Sequence, residues 1–99
     1  SDFFLANNWN TCTGAFLVHM ICNLIGIDLK PGILTVVTGD THIYKTHIDQ
    51  VKENIKREPR PFPKLIIKNK RENITDFEYS DITILGYNPM PNISAQMAV

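Results

Sequence analysis

The chain has 99 residues, of which 43% are hydrophobic and 20% are charged, and its ten basic and ten acidic residues cancel. This balance leaves no overall field to attract nucleic acid or an anionic membrane, and no apolar run approaches the roughly 20 residues that cross a bilayer. Length and composition are those of one small globular domain.

The sequence of the N-terminal third predicts an irregular segment that borders a pocket, followed by a buried helix. Residues 1–10 mix amides and a carboxylate with aromatic side chains, which indicates an irregular segment. Apolar residues then cover nearly the whole helical circumference over residues 11–25, and such a helix belongs inside a larger protein. We expect Gly26 to end this helix. Cys12 and Cys22 lie too far apart on it to bridge, so we interpret them as small buried hydrophobes of a reducing, cytoplasmic compartment.

The remainder of the chain predicts strands around a second helix. A β-branched run at 33–38 is typical of a buried strand. Thr46 and Asp49 approximate a capping box, and an apolar stripe beginning at Tyr44 predicts a helix from Thr46 onward. Two further apolar runs, at 65–67 and 82–84, predict short strands joined by a polar loop. The expected fold class is α+β, a mixed sheet packed against helices, within one domain spanning residues 1–99.

His42 and Tyr44 form the first candidate site. They lie two residues apart in an extended segment, and alternate side chains of an extended backbone share a face. Two neutral hydrogen-bonding tips side by side suit the hydroxyls of a sugar better than a metal. The three histidines have no cysteine or carboxylate at ligand spacing, so the sequence predicts no metal site. The alternative is a His–Tyr pair satisfied inside the fold.

Asn10 and a basic cluster are the other candidates. Asn10 stands just before the predicted helix start, where asparagine is a favoured N-cap. Its carboxamide also both donates and accepts, so it can pair with a ligand that carries an acceptor and a donor side by side. Arg57, Arg60 and Lys64 would suit a phosphate, but long cationic side chains are usually exposed, and we interpret them as a solvated face.

Several motifs in this sequence, taken in order, resemble the thymidylate synthase family. They are Asp2, Leu5 and Asn10, then GDTHIY at 39–44, REPRPFPKL at 57–65, GYNPMP at 86–91 and the terminal Met-Ala-Val at 97–99. The resemblance covers the whole chain and aligns it with the C-terminal part of the enzyme. We therefore expect a chain that begins inside a longer one, and its N-terminus has neither an initiator methionine nor a basic leader segment.

The resemblance implies an enzyme that reductively methylates dUMP to dTMP, with 5,10-methylenetetrahydrofolate as co-substrate. It implies a homodimer with no nucleic acid or membrane partner. Asn10 falls on the residue that reads the pyrimidine, and His42 and Tyr44 fall on the pair that binds the deoxyribose 3′-hydroxyl. The implied folate-binding positions are Asp2, Leu5, Ala6, Trp9, Ala98 and Val99, with the apolar tail 97–99 closing over the folate.

The chain also departs from the family pattern. The family usually has Gly where Ala6 stands and Phe where Trp9 stands, which affects backbone freedom and pocket shape. The family's nucleophilic cysteine lies upstream of the region that Ser1 begins, so we expect no catalytic residue in this chain and no activity from it alone. The alternatives are a deoxycytidylate hydroxymethylase, which carries Asp where Asn10 stands, and a non-catalytic remnant of the family.

Overall fold

The computed structural model describes residues 1–97. It contains two α-helices and one two-stranded sheet: α1 (Ala6–Cys22), α2 (Ile48–Lys56), β1 (Lys64–Ile67) and β2 (Ile82–Leu85). Short 3₁₀ turns occupy Lys45–His47, Ile74–Asp76 and Tyr79–Asp81. The architecture is α+β, as the sequence predicts.

The two predicted strands form an antiparallel hairpin. Lys64 pairs with Leu85 at one end and Ile67 with Ile82 at the other. Among residues 1–97, parallel pairing is limited to isolated bridges that join Asp2 to His42 and Leu24 to Arg71. These bridges tie the two ends of the α1 region to distant parts of the chain.

Helix α1 begins earlier than the sequence predicts, because Asp2 satisfies the amides of its first turn. The carbonyl oxygen of Asp2 accepts hydrogen bonds from the Asn7 and Ala6 amides, at 2.9 and 3.3 Å. Unpaired amides at a helix start otherwise carry a free-energy cost. The irregular segment is therefore only residues 1–5. The helix ends at Cys22 rather than at Gly26, which adopts a left-handed φ of 81° in the turn beyond.

The expected buried strand at 33–38 is wrong. These residues have no regular structure, and Ile33 and Val37 are 98% and 88% exposed. A strand exists only when a neighbour pairs with its backbone, and no segment within residues 1–97 pairs with this one. The β-branched residues favour a strand, but the described part of the chain provides no partner strand for them.

The expected capping box at the start of α2 is also wrong. Thr46 lies inside the 3₁₀ turn, and α2 begins at Ile48 without a side-chain cap. The N-cap residue is His47, whose imidazole contacts the backbone oxygen of Gln96 instead of an amide of its own helix. A long-range contact has replaced the local cap.

A buried ion pair fixes the loop between the strands. Arg71 approaches Asp81 to 2.7 Å, and the carboxylate is 1% exposed. The Glu78 amide and the Asn69 side chain complete its partners. The hydrogen bond from Arg71, then those from Glu78 and Asn69, hold the pKa of Asp81 well below its usual range.

Apolar burial is slight throughout the described chain. Within residues 1–97 only His47 and Asp81 are fully buried, and no apolar side chain is. Cys12 is exposed and Cys22 half-buried, so the prediction that both are buried is wrong, and both are free thiols. Neither described helix is long and apolar enough to cross a bilayer.

Candidate functional site

A cleft of about 660 Å³ opens beside the first turns of α1. Its volume lies within the range of small-molecule sites. It is lined by Asp2, Leu5, Ala6, Trp9, Asn10, Ala95 and Met97. Five of these residues are ones that the family resemblance assigns to folate or pyrimidine. Leu5, Ala6, Trp9 and Asn10 follow helical spacing along one side of the start of α1, and Asp2 lies just before it.

Two backbone amides hold the carboxylate of Asp2 just before the first residue of α1. Its Oδ1 accepts hydrogen bonds from the Phe4 and Leu5 amides, at 3.0 and 3.3 Å. Its Oδ2 has no partner among residues 1–97. One oxygen therefore fixes the carboxylate and the other is left to accept a donor in the cleft.

The apolar wall of the cleft comes from α1. Trp9 is 78% exposed, so its indole presents a large flat face that the protein does not cover. Ala6 opens the helix and has a negative φ, so this position does not need the conformational freedom of glycine. The departure at Ala6 is thus compatible with the local backbone.

Asn10 is an interior residue of α1, and the N-cap alternative is wrong. The cap position belongs to Leu5. The Asn10 side chain is exposed and makes no hydrogen bond within residues 1–97, whereas Asn8, on the same helix, donates to the Phe4 carbonyl at 3.5 Å. The Asn10 carboxamide is therefore open to the cleft with both its donor and its acceptor unused.

His42 and Tyr44 lie together, as the alternation predicts, but outside the residues that line the cleft. Their rings meet edge to face with centroids 5.0 Å apart. The Phe3 amide donates to the His42 carbonyl at 2.9 Å and the His42 amide to the Ser1 carbonyl at 3.1 Å, so His42 is tied to the segment that carries Asp2. Asp40 approaches the His42 Nδ1 to 3.4 Å.

Tyr44 continues into an aromatic cluster that sequence reasoning missed. We define the aromatic cluster as Phe4, His42, Tyr44 and His47. The Tyr44 and His47 rings lie 5.6 Å apart, and Phe4 and His47 5.7 Å apart. The only sequence signal was that Tyr44 and His47 are three residues apart. The cluster joins the start of the chain to the start of α2.

The C-terminal segment supplies the remaining wall of the cleft. Met97 belongs to residues 97–99, which the sequence expects over the folate, while Ala95 was not predicted. Residues 97–99 are apolar, but nothing local in the sequence indicates which residues near the C-terminus reach α1. The predicted folate contacts at Ala98 and Val99 lie outside the described residues.

The basic cluster is only partly a solvated face. Arg57 donates to the Pro91 carbonyl at 2.6 Å and Arg60 to the Pro89 carbonyl at 3.0 Å. Arg57 is half-buried, so the interpretation as solvent-facing charge is wrong for this residue. Arg60 and Lys64 are exposed, as that interpretation expects, although Arg60 also bonds backbone carbonyls.

The profile of the family described as thymidylate synthase matches residues 1–99, the entire chain.

Proposed function

This chain belongs to the thymidylate synthase family, and we propose that it carries the nucleotide- and folate-binding side of a site that reductively methylates dUMP to dTMP. 5,10-Methylenetetrahydrofolate supplies both the one-carbon unit and the hydride for that reaction. The observation that carries the proposal is the cleft beside α1, because it collects Asn10 with the folate positions of the family pattern.

The walls of the cleft suit a reduced folate. A pterin and its aromatic extension are flat and largely apolar, and the open indole of Trp9 with Leu5 offers such a ligand a stacking surface. The ring N–H groups of a pterin need an acceptor. Asp2 provides one in Oδ2, while its other oxygen is fixed by the helix start.

Asn10 suits the uracil base. Its amide nitrogen can donate to O4 and its amide oxygen can accept from N3–H, so the carboxamide and this edge of the uracil ring are complementary. Negative charge develops on O4 when a thiolate adds to C6 of the ring. A fixed donor at that oxygen stabilises this charge more than it stabilises the ground state.

His42 and Tyr44 would bind the deoxyribose 3′-hydroxyl. Their edge-to-face contact holds the two polar tips close together, and the backbone tie between His42 and the Ser1–Phe3 segment sets their distance from the cleft. A sugar fixed there aims the base, which is how positioning residues lower a reaction barrier.

We place the nucleophilic cysteine outside these 99 residues. Cys12 follows Asn10 by two positions, so it lies on nearly the opposite side of α1. Cys22 lies about 18 Å from Asn10 along the helix axis. Neither thiol lines the cleft. The proposal includes a homodimeric, cytoplasmic enzyme whose subunits contain this chain.

Binding to the intact protein tests the proposal without requiring turnover. We expect dUMP and a reduced folate to bind by isothermal titration calorimetry, with the folate weakened about tenfold or more by Trp9→Ala, since loss of a stacking aromatic removes both area and contact. Trp9→Phe installs the residue usual in the family and is the matched control, expected to retain affinity. Unchanged folate binding in Trp9→Ala would place the folate elsewhere.

Turnover is the second readout. We expect no tritium release from dUMP labelled at C5 when the 99-residue chain is assayed alone with folate. Release by this chain alone would contradict the location proposed for the nucleophile.

A further inference from the structure

The C-terminal segment lies along α2 and is held there by side chains that reach its backbone. We call residues 88–97 the tail. Arg60 and Arg57 bind carbonyls near the start of the tail, and Gln50 and His47 bind carbonyls near its end. The donors at residues 60, 57, 50 and 47 meet acceptors at residues 88, 91, 94 and 96, so the tail runs antiparallel to residues 47–60. These four acceptors are main-chain oxygens, and Arg60 also donates to the side-chain Oδ1 of Asn88 at 3.1 Å. The tail is therefore held mainly by its backbone.

His47 makes the most constrained of these contacts. Its side chain is fully buried, and its Nε2 donates to the Gln96 carbonyl at 2.6 Å. Because a carbonyl can only accept, this bond assigns the ring proton to Nε2. Phe4 and Tyr44 pack against the ring at 5.7 and 5.6 Å, so the imidazole cannot turn away from the tail.

A purely packing role does not explain a histidine at this position. Its Nδ1 is buried with no hydrogen-bond partner among residues 1–97, and so is the Oε1 of Gln50 one turn later. A buried polar atom without a partner carries a free-energy cost, which a phenylalanine and a methionine would avoid. What the two polar side chains add is their bonds to the tail, at the carbonyls of Gln96 and Ser94.

The two bonded carbonyls adjoin both tail residues that line the cleft. Ala95 lies between Ser94 and Gln96, and Met97 follows Gln96; both line the cleft together with residues of α1. Displacing the Gln96 carbonyl would therefore move the wall that faces Trp9.

We propose that His47 is a positioning residue that, with Gln50, holds the tail as the wall of the cleft on its folate side. The identity of the occupant rests on the proposed function; the tie between His47 and the tail does not. The two claims can be tested separately.

The first readout is the backbone order of residues 94–97, measured by ¹⁵N NMR relaxation in the intact protein without ligand. His47→Phe keeps an aromatic ring against Phe4 and Tyr44 but removes the donor, and we expect the order parameters of residues 94–97 to fall from about 0.85, typical of rigid backbone, to below about 0.6. His47→Gln places an amide nitrogen where Nε2 stood and is expected to restore the backbone order. His19→Phe, on α1, is the matched control and is expected to change nothing there.

Unchanged order parameters at residues 94–97 in His47→Phe would overturn the proposal, as would failure of His47→Gln to restore them. If His47→Phe does not fold, Gln50→Met removes the neighbouring bond without disturbing the buried ring. Lower order parameters in that variant then support the tie, and unchanged values refute it.

The second readout is folate affinity measured by calorimetry. We expect His47→Phe to weaken binding of a reduced folate about tenfold, with dUMP affinity unchanged and His47→Gln close to wild type. A merely structural role would weaken both ligands and would not be rescued. If the wild-type protein binds no folate, the proposed function fails, and the backbone order of residues 94–97 alone decides the role of His47.

Discussion

The carboxylates of Asp2 and Asp81 differ in how many of their oxygens already have hydrogen-bond partners within the protein. Both oxygens of Asp81 are engaged, by Arg71, Asn69 and the Glu78 amide. Asp2 has one oxygen bound by backbone amides, and its other oxygen has no partner among residues 1–97. The first carboxylate is complete within the fold, while the second has capacity left for a molecule in the cleft.

Asn10→Asp is expected to shift nucleotide preference from dUMP toward dCMP in the catalytically active protein. An ionised carboxylate only accepts, so it suits the N4 amino group of cytosine and opposes O4 of uracil. A mispaired polar group costs about 1–3 kcal/mol, so the ratio of kcat/KM for the two nucleotides should move roughly tenfold to a hundredfold.

Asn8→Asp is the matched control for charge on the same helix. Asn8 already bonds the Phe4 carbonyl and does not line the cleft, so this variant is expected to leave the ratio unchanged. Equal ratios in the two variants would show that Asn10 does not read the base.

Asp81 gives the fold a defined sensitivity to acid. Its folded pKa lies below its unfolded value of about 3.9, so the ionised form stabilises the folded chain above about pH 4, and this contribution is lost as the pH falls further. We expect NMR signals of β1 and β2 to lose dispersion in that acid range. Asp81→Asn should remove this pH dependence, whereas the exposed Asp28→Asn should leave it intact.

Among elements, the hairpin depends on its own residues, while each helix start depends on a contact outside the helix. Strands β1 and β2 pair with each other, and Gly86 ends β2 with a φ of 70°. Helix α1 begins where Asp2 supplies acceptors, and α2 begins at a histidine that binds the tail. Local composition therefore predicts β1 and β2 better than it predicts the helix ends.

Gly86→Ala is expected to loosen the hairpin. A side chain at a left-handed φ costs about 1 kcal/mol, so amides of β1 and β2 should exchange roughly fivefold faster. Gly32→Ala is the control, because Gly32 does not have a left-handed φ and an added Cβ there would meet nothing within 4 Å. Equal exchange rates in the two variants would show that the left-handed turn does not limit hairpin stability.

At the scale of the whole molecule, the chain exposes more surface than a compact monomer of its mass. Its accessible surface is 8199 Å², against roughly 5,700 Å² expected at this size. Its radius of gyration is 16.4 Å, where a compact chain of this length has about 13 Å. The excess surface is comparable to a large permanent interface.

We expect the 99-residue chain, prepared alone, to bind a hydrophobic dye and to self-associate at micromolar concentration. Exposed apolar side chains such as those of Ile33, Val37 and Phe62 favour both. Dye fluorescence and sedimentation velocity measure the two effects. A monomeric chain that binds no dye would mean that the exposed apolar surface does not drive association.

The candidate residues near the start of α1 were predicted from the family motifs and not from periodicity, because the sequence predicts residues 1–10 as an irregular segment. Only the structure puts Leu5, Ala6, Trp9 and Asn10 at helical spacing along one side of the start of α1. The wall formed by Ala95 could not be predicted, because contacts between residues far apart in the chain leave no periodic pattern. The position of Met97 was predicted from the resemblance alone.

The sequence by itself determined the α+β class and the two paired strands, since these follow from local propensity and side-chain periodicity. Only the tertiary structure decided which residues line the cleft, where the helices begin, whether the run at 33–38 becomes a strand, and what His47 contacts. The helix starts, the run at 33–38 and the contact of His47 each depend on which backbone group lies within reach as a partner. A hydrogen bond to that partner outweighs the weaker preference of the local sequence.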